Sequence, residues 1–180
     1  MTSVRLAPAG DLTPGVLRAI RSLCDAAWAD EDEAFGDEDW RHALGGLHAV
    51  LEDEGEIVAH GSVVPRTLRV GGVDTPTGYV EAVATLPNLR RRGYGSAVMR
   101  ELTTYIDATY PLGALSTGVP SFYERLGWTR WMGPTSVLVD ADIRPTPEED
   151  GAILVRFTPT SPPLDPGGPI SCDWREGDVW

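Results

Sequence analysis

Two short segments carry residue types able to do chemistry. The first is RRRGYGS, residues 90–96, where three consecutive arginines meet two glycines ahead of an apolar-periodic run. YVEAVAT before it reads as a strand and LPNL as a connection, so the order is strand, basic glycine loop, helix start. The first N–H groups of a helix lack intrahelical partners, and that end carries partial positive charge. Glycines let the backbone approach a ligand closely, and arginines add fixed cations; the combination suits a pyrophosphate. The bland alternative is a solvated basic turn. The loop is neither a dinucleotide fingerprint nor a nucleotide-hydrolase phosphate loop, since G-x-G-x-x-G and Gly-Lys-Ser/Thr are both missing. The second segment is FYERLGW, residues 122–128. Its Tyr123 is a phenol able to donate a proton, or else a core aromatic.

The elements that must position these groups belong to a chain of 180 residues with 42% hydrophobic content, expected to form one domain over residues 1–180. Ser3–Leu6 reads as a strand, and Thr13-Pro14 starts a helix whose apolar stripe is Val16, Ile20, Leu23 and Ala27. Asp39 is expected to cap a short helix, WRHAL, that stops at Gly45-Gly46. HAVLE and Ile57–Val64 read as antiparallel strands joined by Asp53–Glu56, and Gly71-Gly72 marks a hairpin into the strand ending at Thr85. The glycine-loop helix is expected from about Gly93 to Tyr110, stopped by Pro111. A strand at Gly113–Ser116, a helical turn at SFYERLG and strands at Ser136–Val139 and Ile153–Phe157 follow, with a surface loop over Thr158–Gly168. The class is α+β (mixed α/β), an antiparallel sheet with a few helices.

Composition bounds the partners. The formal net charge is -12 and the pI about 4.5, which argues against nucleic acid and suits a cationic partner. All 15 basic side chains are arginine. Neither a signal peptide nor a membrane span is read, so a cytoplasmic protein with free thiols at Cys24 and Cys172 is expected. His42, His48 and His60 show no metal spacing and read as structural or surface residues; no metal is expected.

Arg90, Gly93 and Gly95 fit R/Q-x-x-G-x-G/A, the acyl-coenzyme A loop of the GCN5-related N-acetyltransferases (GNAT). FYERLGW resembles the same family's second element, at the right distance. The resemblance implies the GNAT fold, a mostly antiparallel central sheet splayed at the coenzyme A cleft and flanked by helices. GYVE (78–81), LGALS (112–116), GPTSVL (133–138), TPEEDG (146–151), CDWREGDVW (172–180) and DEDWRHALGGLHAV (37–50) further resemble the aminoglycoside 2′-N-acetyltransferases.

That resemblance implies acetyl-CoA-dependent N-acetylation of an aminoglycoside by direct acyl transfer, with resistance as the outcome. It implies a general acid at Tyr123, a base or substrate-positioning carboxylate at Glu81, and an oxyanion donor at the Val83 N–H. Val83, Ala84 and Thr85 would hold the pantetheine arm, and Arg90, Arg91, Arg92, Gly93, Tyr94, Gly95 and Ser96 the pyrophosphate. A polycationic acceptor needs carboxylates and short polar groups. Asp32, Glu81, Ala82, Ser116, Glu148, Glu149, Asp178 and Trp180, with its terminal carboxylate, are the candidates. A homodimer is an expectation from relatives only. Two alternatives stay open. One is a GNAT enzyme for another cationic amine, such as a polyamine or cell-wall amine. The other is a non-catalytic binder, against which the intact loop and Tyr123 argue.

Overall fold

The computed structural model describes residues 3–30 and 34–180. In chain order the elements are β1 (Ser3–Pro8), α1 (Pro14–Ala27), α2 (Asp37–Leu44), β2 (Leu47–Asp53), β3 (Glu56–Val70), β4 (Val73–Thr85) and α3 (Tyr94–Thr109). There follow β5 (Leu112–Ser116), α4 (Pro120–Glu124), β6 (Thr129–Arg130), β7 (Thr135–Val139), β8 (Asp142–Pro145), β9 (Ile153–Phe157) and β10 (Ile170–Asp173). The fold is α+β. The sheet order is β6-β9-β5-β4-β3-β10-β7-β8, with β1 and β2 off that path. The chain divides into two compact units. Unit 1 runs to Val64 and adds Val80–Thr104; unit 2 is Pro65–Tyr79 with Tyr105–Trp180. Strands β3 and β4 and helix α3 each contribute to both.

In unit 1, β1 pairs antiparallel with β2 from Ser3↔Glu52 to Pro8↔Leu47, and β2 pairs with β3. The β2–β3 hairpin turns at Glu54 and Gly55, both with positive φ. Helix α1 starts where expected: the Val16 N–H donates to Thr13 Oγ1 at 3.3 Å, a cap that contributes about 1 kcal/mol. Ile20, Leu23 and Ala27 of its stripe are buried with Cys24, against Ala7, Leu12, Val50 and Ala84. Helix α2 begins at Asp37, three residues earlier than the reading of Asp39 as its cap allows. Gly36 precedes the first turn, and Asp39 acts from inside it, its Oδ2 accepting the Gly36 N–H at 2.7 Å.

In unit 2, β5 lies between β4 and β9. It runs parallel to β4 from Thr77↔Leu112 to Tyr79↔Ala114 and antiparallel to β9 from Leu112↔Phe157 to Ser116↔Ile153. Strand β10 is parallel to β7 and antiparallel to β3. Three strands escape the sequence reading. β6 has two residues, β8 is exposed throughout, and β10 follows a Pro/Gly-rich loop with no alternation of its own. Pairing partners, not local pattern, make these strands. Cys24 and Cys172 are free and buried, which pushes their thiols up to about 12 and about 11. No helix among the described residues is long and apolar enough to cross a membrane.

Candidate functional site

Unit 1 holds one group of candidate residues, at the end of β4 and the start of α3. After β4 the chain makes a 3-10 turn, Pro87–Leu89, pinned by the Leu86 N–H to Val58 O at 3.0 Å. Arg91 and Gly93 then take positive φ, 67° and 87°. A side chain at Gly93 would meet nothing within 4 Å, but the left-handed backbone there favours glycine. Its carbonyl accepts the Ala97 N–H at 2.9 Å, so Gly93 caps α3. The N–H groups of Tyr94, Gly95 and Ser96 therefore occupy the first turn of a 16-residue helix, where intrahelical partners are lacking. Arg90, Arg91 and Arg92 are exposed around it. Open space, cations and a helix start fit an anionic pyrophosphate.

Two side chains in this loop have additional duties. Arg90 Nη2 donates to Ala27 O at 2.7 Å, which fastens the loop to the end of α1. The Tyr94 hydroxyl donates to Asp53 Oδ2 at 2.6 Å, and that bond holds the phenol's pKa above its ordinary value.

On β4, Glu81, Ala82, Val83 and Thr85 are half-buried and Ala84 is buried. Ala82 has φ 49°, left-handed backbone inside a strand. For a residue with a Cβ this costs about 1–2 kcal/mol, and it interrupts the extended backbone of β4 as a bulge does. The sequence reading has no signal for it, because alanine is not a turn residue.

Unit 2 holds the second group. Tyr123 in α4 is only 7% exposed, and burial raises its phenol to about 12, against a smaller opposing effect of a hydrogen bond with Thr117. It is therefore protonated at neutral pH, as a donor must be. Ser116, at the end of β5, donates to Glu149 Oε2 at 3.2 Å. Glu149 closes the 3-10 turn Pro147–Glu149, and Glu148 beside it is exposed.

Trp180 is only 2% exposed. Its indole N–H donates to the buried Thr146 Oγ1 at 3.0 Å. Thr146 Oγ1 lies 3.0 Å from Thr135 Oγ1, which is 2.9 Å from Asp150 Oδ1. This chain of bonds fixes both ends of the turn that carries Glu148 and Glu149. Asp178 is exposed, with Oδ1 accepting the Trp180 N–H at 3.0 Å. Arg175 donates to Asp178 O at 2.7 Å and Trp180 O at 2.9 Å. The Trp180 backbone oxygen, expected on the side of a cationic acceptor, is thus engaged by an arginine of its own unit. Arg66 joins from β3, donating to Asp173 and, at 2.9 Å, to Val179 O, with its guanidinium 4.7 Å from the Tyr79 ring centre. Arg66, Tyr79, Thr146 and Arg175 escape the sequence reading as parts of this group. Only the arginine inside CDWREGDVW lies close enough in sequence to hint at it. Asp32 lies outside the described residues. No cluster of three or more His, Cys, Asp or Glu suited to a metal occurs among the described residues.

Residues 11–131 match the family model for an acetyltransferase (GNAT) domain. An aminoglycoside 2′-N-acetyltransferase of Mycolicibacterium fortuitum is 38% identical over 99% of this chain and 92% of its own. Among solved structures, a GNAT family acetyltransferase from Brucella melitensis in complex with acetyl-CoA aligns with TM-score 0.64, 18% identity and 94% of each chain. The GNAT family N-acetyltransferase YhbS from Escherichia coli, in complex with CoA, aligns with TM-score 0.65 and 17% identity over 95% of this chain and 89% of its own. A longer probable N-acyltransferase from Enterococcus faecalis aligns with TM-score 0.59 and 19% identity over 72% of this chain and 32% of its own. With a family model over more than half its length and a relative this similar from end to end, the chain belongs to the GNAT acetyltransferases and, within them, to the aminoglycoside 2′-N-acetyltransferase family.

Proposed function

We infer that this protein transfers the acetyl group of acetyl-CoA to an amino group, the 2′-amine, of aminoglycoside antibiotics, and so confers resistance to them. The observation that carries this reading is end-to-end similarity to an aminoglycoside 2′-N-acetyltransferase, together with an arginine-glycine loop at the start of α3. Residues 1–180 act as one domain. The family match over 11–131 supports this, since it draws on residues of both units. A cytoplasmic location is supported by two free cysteines.

The roles are those that the family resemblance implies, and the chemistry of the residues supports them. Residues Arg90 to Ser96 neutralise the pyrophosphate with exposed guanidinium groups and helix N–H groups. The backbone of Val83 to Thr85 takes up the pantetheine arm, supported by β4–β5 pairing that ends at Tyr79, before Val83. The substrate ammonium must lose a proton before its nitrogen attacks the thioester carbon. Glu81 either takes that proton, through a water, or positions the amine. The Val83 N–H stabilises the oxygen that gains charge. Tyr123 donates to the departing thiolate. Its raised pKa makes complete proton transfer uphill, so the hydrogen bond itself supplies the stabilisation. Ser116, Glu148, Glu149 and Asp178 offer a carboxylate- and hydroxyl-rich surface to a polycation. Trp180 serves that surface by holding it in shape, supported by its bond to Thr146.

The test is thiol release from acetyl-CoA with and without tobramycin or gentamicin, followed by NMR mapping of the product. Aminoglycoside-dependent release with the acetyl group on the 2′-nitrogen is expected. Release with polyamines but not aminoglycosides would move the assignment to another cationic amine.

A further inference from the structure

The bulge at Ala82 poses a question. Left-handed backbone is unfavourable for alanine, so something must hold it there. Two buried histidines with no part in the roles above supply a grip. His60 on β3 places Nδ1 3.0 Å from the Ala82 carbonyl oxygen, and its Nε2 lies 2.9 Å from Nδ1 of His48 on β2. Both residues are fully buried. A carbonyl can only accept, so His60 Nδ1 carries the proton. In a neutral ring Nε2 then accepts, and His48 Nδ1 must carry its own proton. Burial, the larger cause, and the neighbouring His48 push His60 down to about 3, which keeps the ring neutral. Each hydrogen bond thereby sets the tautomer of the next ring. The chain ends on a carbonyl, which cannot pass a proton onward, so it orients and does not relay.

What it orients follows from peptide geometry. The Ala82 carbonyl and the Val83 N–H belong to one planar trans unit and point in opposite directions. A donor fixed on the carbonyl therefore fixes where the N–H points. The neighbouring peptide is held from the same face of β3, where Ser62 Oγ lies 3.5 Å from Glu81 O. From the other face, the Val83 side chain sits 3.3 Å from where a Cβ on Gly61 would stand, so residue 61 must stay small.

We propose that His60, oriented by His48, is a positioning residue that grips the Ala82–Val83 peptide in its bulged conformation and so aims the Val83 N–H at the thioester oxygen. This rests on the reading of that N–H as the oxyanion donor. The histidines touch no substrate.

The test compares His60→Leu, which removes the donor, with His60→Asn, whose amide nitrogen restores one near the Nδ1 position. Each variant is assayed for kcat, for KM of acetyl-CoA, for Kd of coenzyme A by calorimetry, and for the Ala82 φ by crystallography. His60→Leu should lower kcat about 30- to 100-fold, the scale of a misaimed donor, with Kd for coenzyme A within about threefold. Its Ala82 should leave the left-handed region. His60→Asn should keep the bulge and stay within about fivefold of the wild-type kcat. If His60→Leu does not fold, His60→Gln, whose amide misses the Nδ1 position, takes its place. An unchanged φ at Ala82 in the donor-less variant would overturn the proposal. Ala82 relaxing to extended backbone with kcat intact would overturn the oxyanion reading of Val83 and with it the catalytic purpose of the grip. Loss of coenzyme affinity in step with kcat would reduce the pair to general scaffolding and overturn the proposal too.

Discussion

The arginine loop of unit 1 and the acidic turn of unit 2 carry opposite charges on opposite kinds of support. The loop offers backbone N–H groups and exposed guanidinium groups around an open glycine, and no large side chain lies behind Gly93. The acidic turn is braced from within by Thr135, Thr146, Asp150 and Trp180, all joined by hydrogen bonds. A diphosphate is small and charged, so helix-end amides suffice for it. An acceptor with many amines and hydroxyls demands carboxylates at set positions, and those must be anchored in a core. Damage to the loop should therefore appear as lost coenzyme affinity in a stable protein. Damage to the brace should cost stability and acceptor affinity together.

The largest test of that contrast is Trp180→Ala. Removing a buried indole should destabilise the protein by about 3–5 kcal/mol. Urea denaturation should show it, alongside a raised KM for tobramycin and an unchanged Kd for coenzyme A. A raised KM with full stability would make Trp180 a simple ligand contact and erase the contrast. Next, Tyr123→Phe should lower kcat roughly 100-fold, with both KM values within about threefold, since the proposed role places the hydroxyl on the leaving group alone. An unchanged kcat would remove Tyr123 from the reaction. Gly93→Ala meets no neighbour but strains a φ of 87°, which shifts the loop backbone, so KM for acetyl-CoA should rise about tenfold, while the melting temperature falls little. A large loss of stability would show that the loop is braced like the acidic turn.

The smallest effect is a pH dependence confined to unit 1. His60 is depressed from an ordinary 6.5 to about 3, so between those values the unfolded chain binds a proton that the folded chain refuses. Stability must then fall as pH falls through that window, by up to about 1.4 kcal/mol per pH unit from this group. Urea melts of the wild type and His60→Asn at pH 7 and pH 5 should converge as the pH drops. Parallel curves would mean that His60 takes up its proton in the folded state.

How far these regions can be read from sequence follows the same division. RRRGYG announces itself because its chemistry is local: a cation run, a left-handed glycine and a helix start are neighbours in the chain. Helix α1 is readable for the same reason, through Thr13, Pro14 and an apolar stripe. Ala82 is not, since an alanine becomes left-handed only because His60, 22 positions away, holds its carbonyl. Strand β10 is invisible until β7 pairs with it, 35 positions earlier. The tail CDWREGDVW is recognisable as a block, but its bracing role depends on Thr146 and Arg66, which no spacing rule links to it. Asp39 falls between these cases. A cap of the short helix is readable, yet the carboxylate works from inside the first turn and not in front of it.

The two cysteines have a practical consequence. Cys24 lies in the core of unit 1 and Cys172 in that of unit 2, both buried and both poor nucleophiles while folded. A thiol reagent added to count liberated coenzyme will therefore ignore the native protein. Added in excess during slow unfolding, the same reagent becomes a pair of clocks, because each sulfur is labelled only when its own surroundings open. Mass spectrometry of the labelled peptides would time the two openings separately. One shared rate would identify a single cooperative body, and two rates would rank the halves by how readily each comes apart.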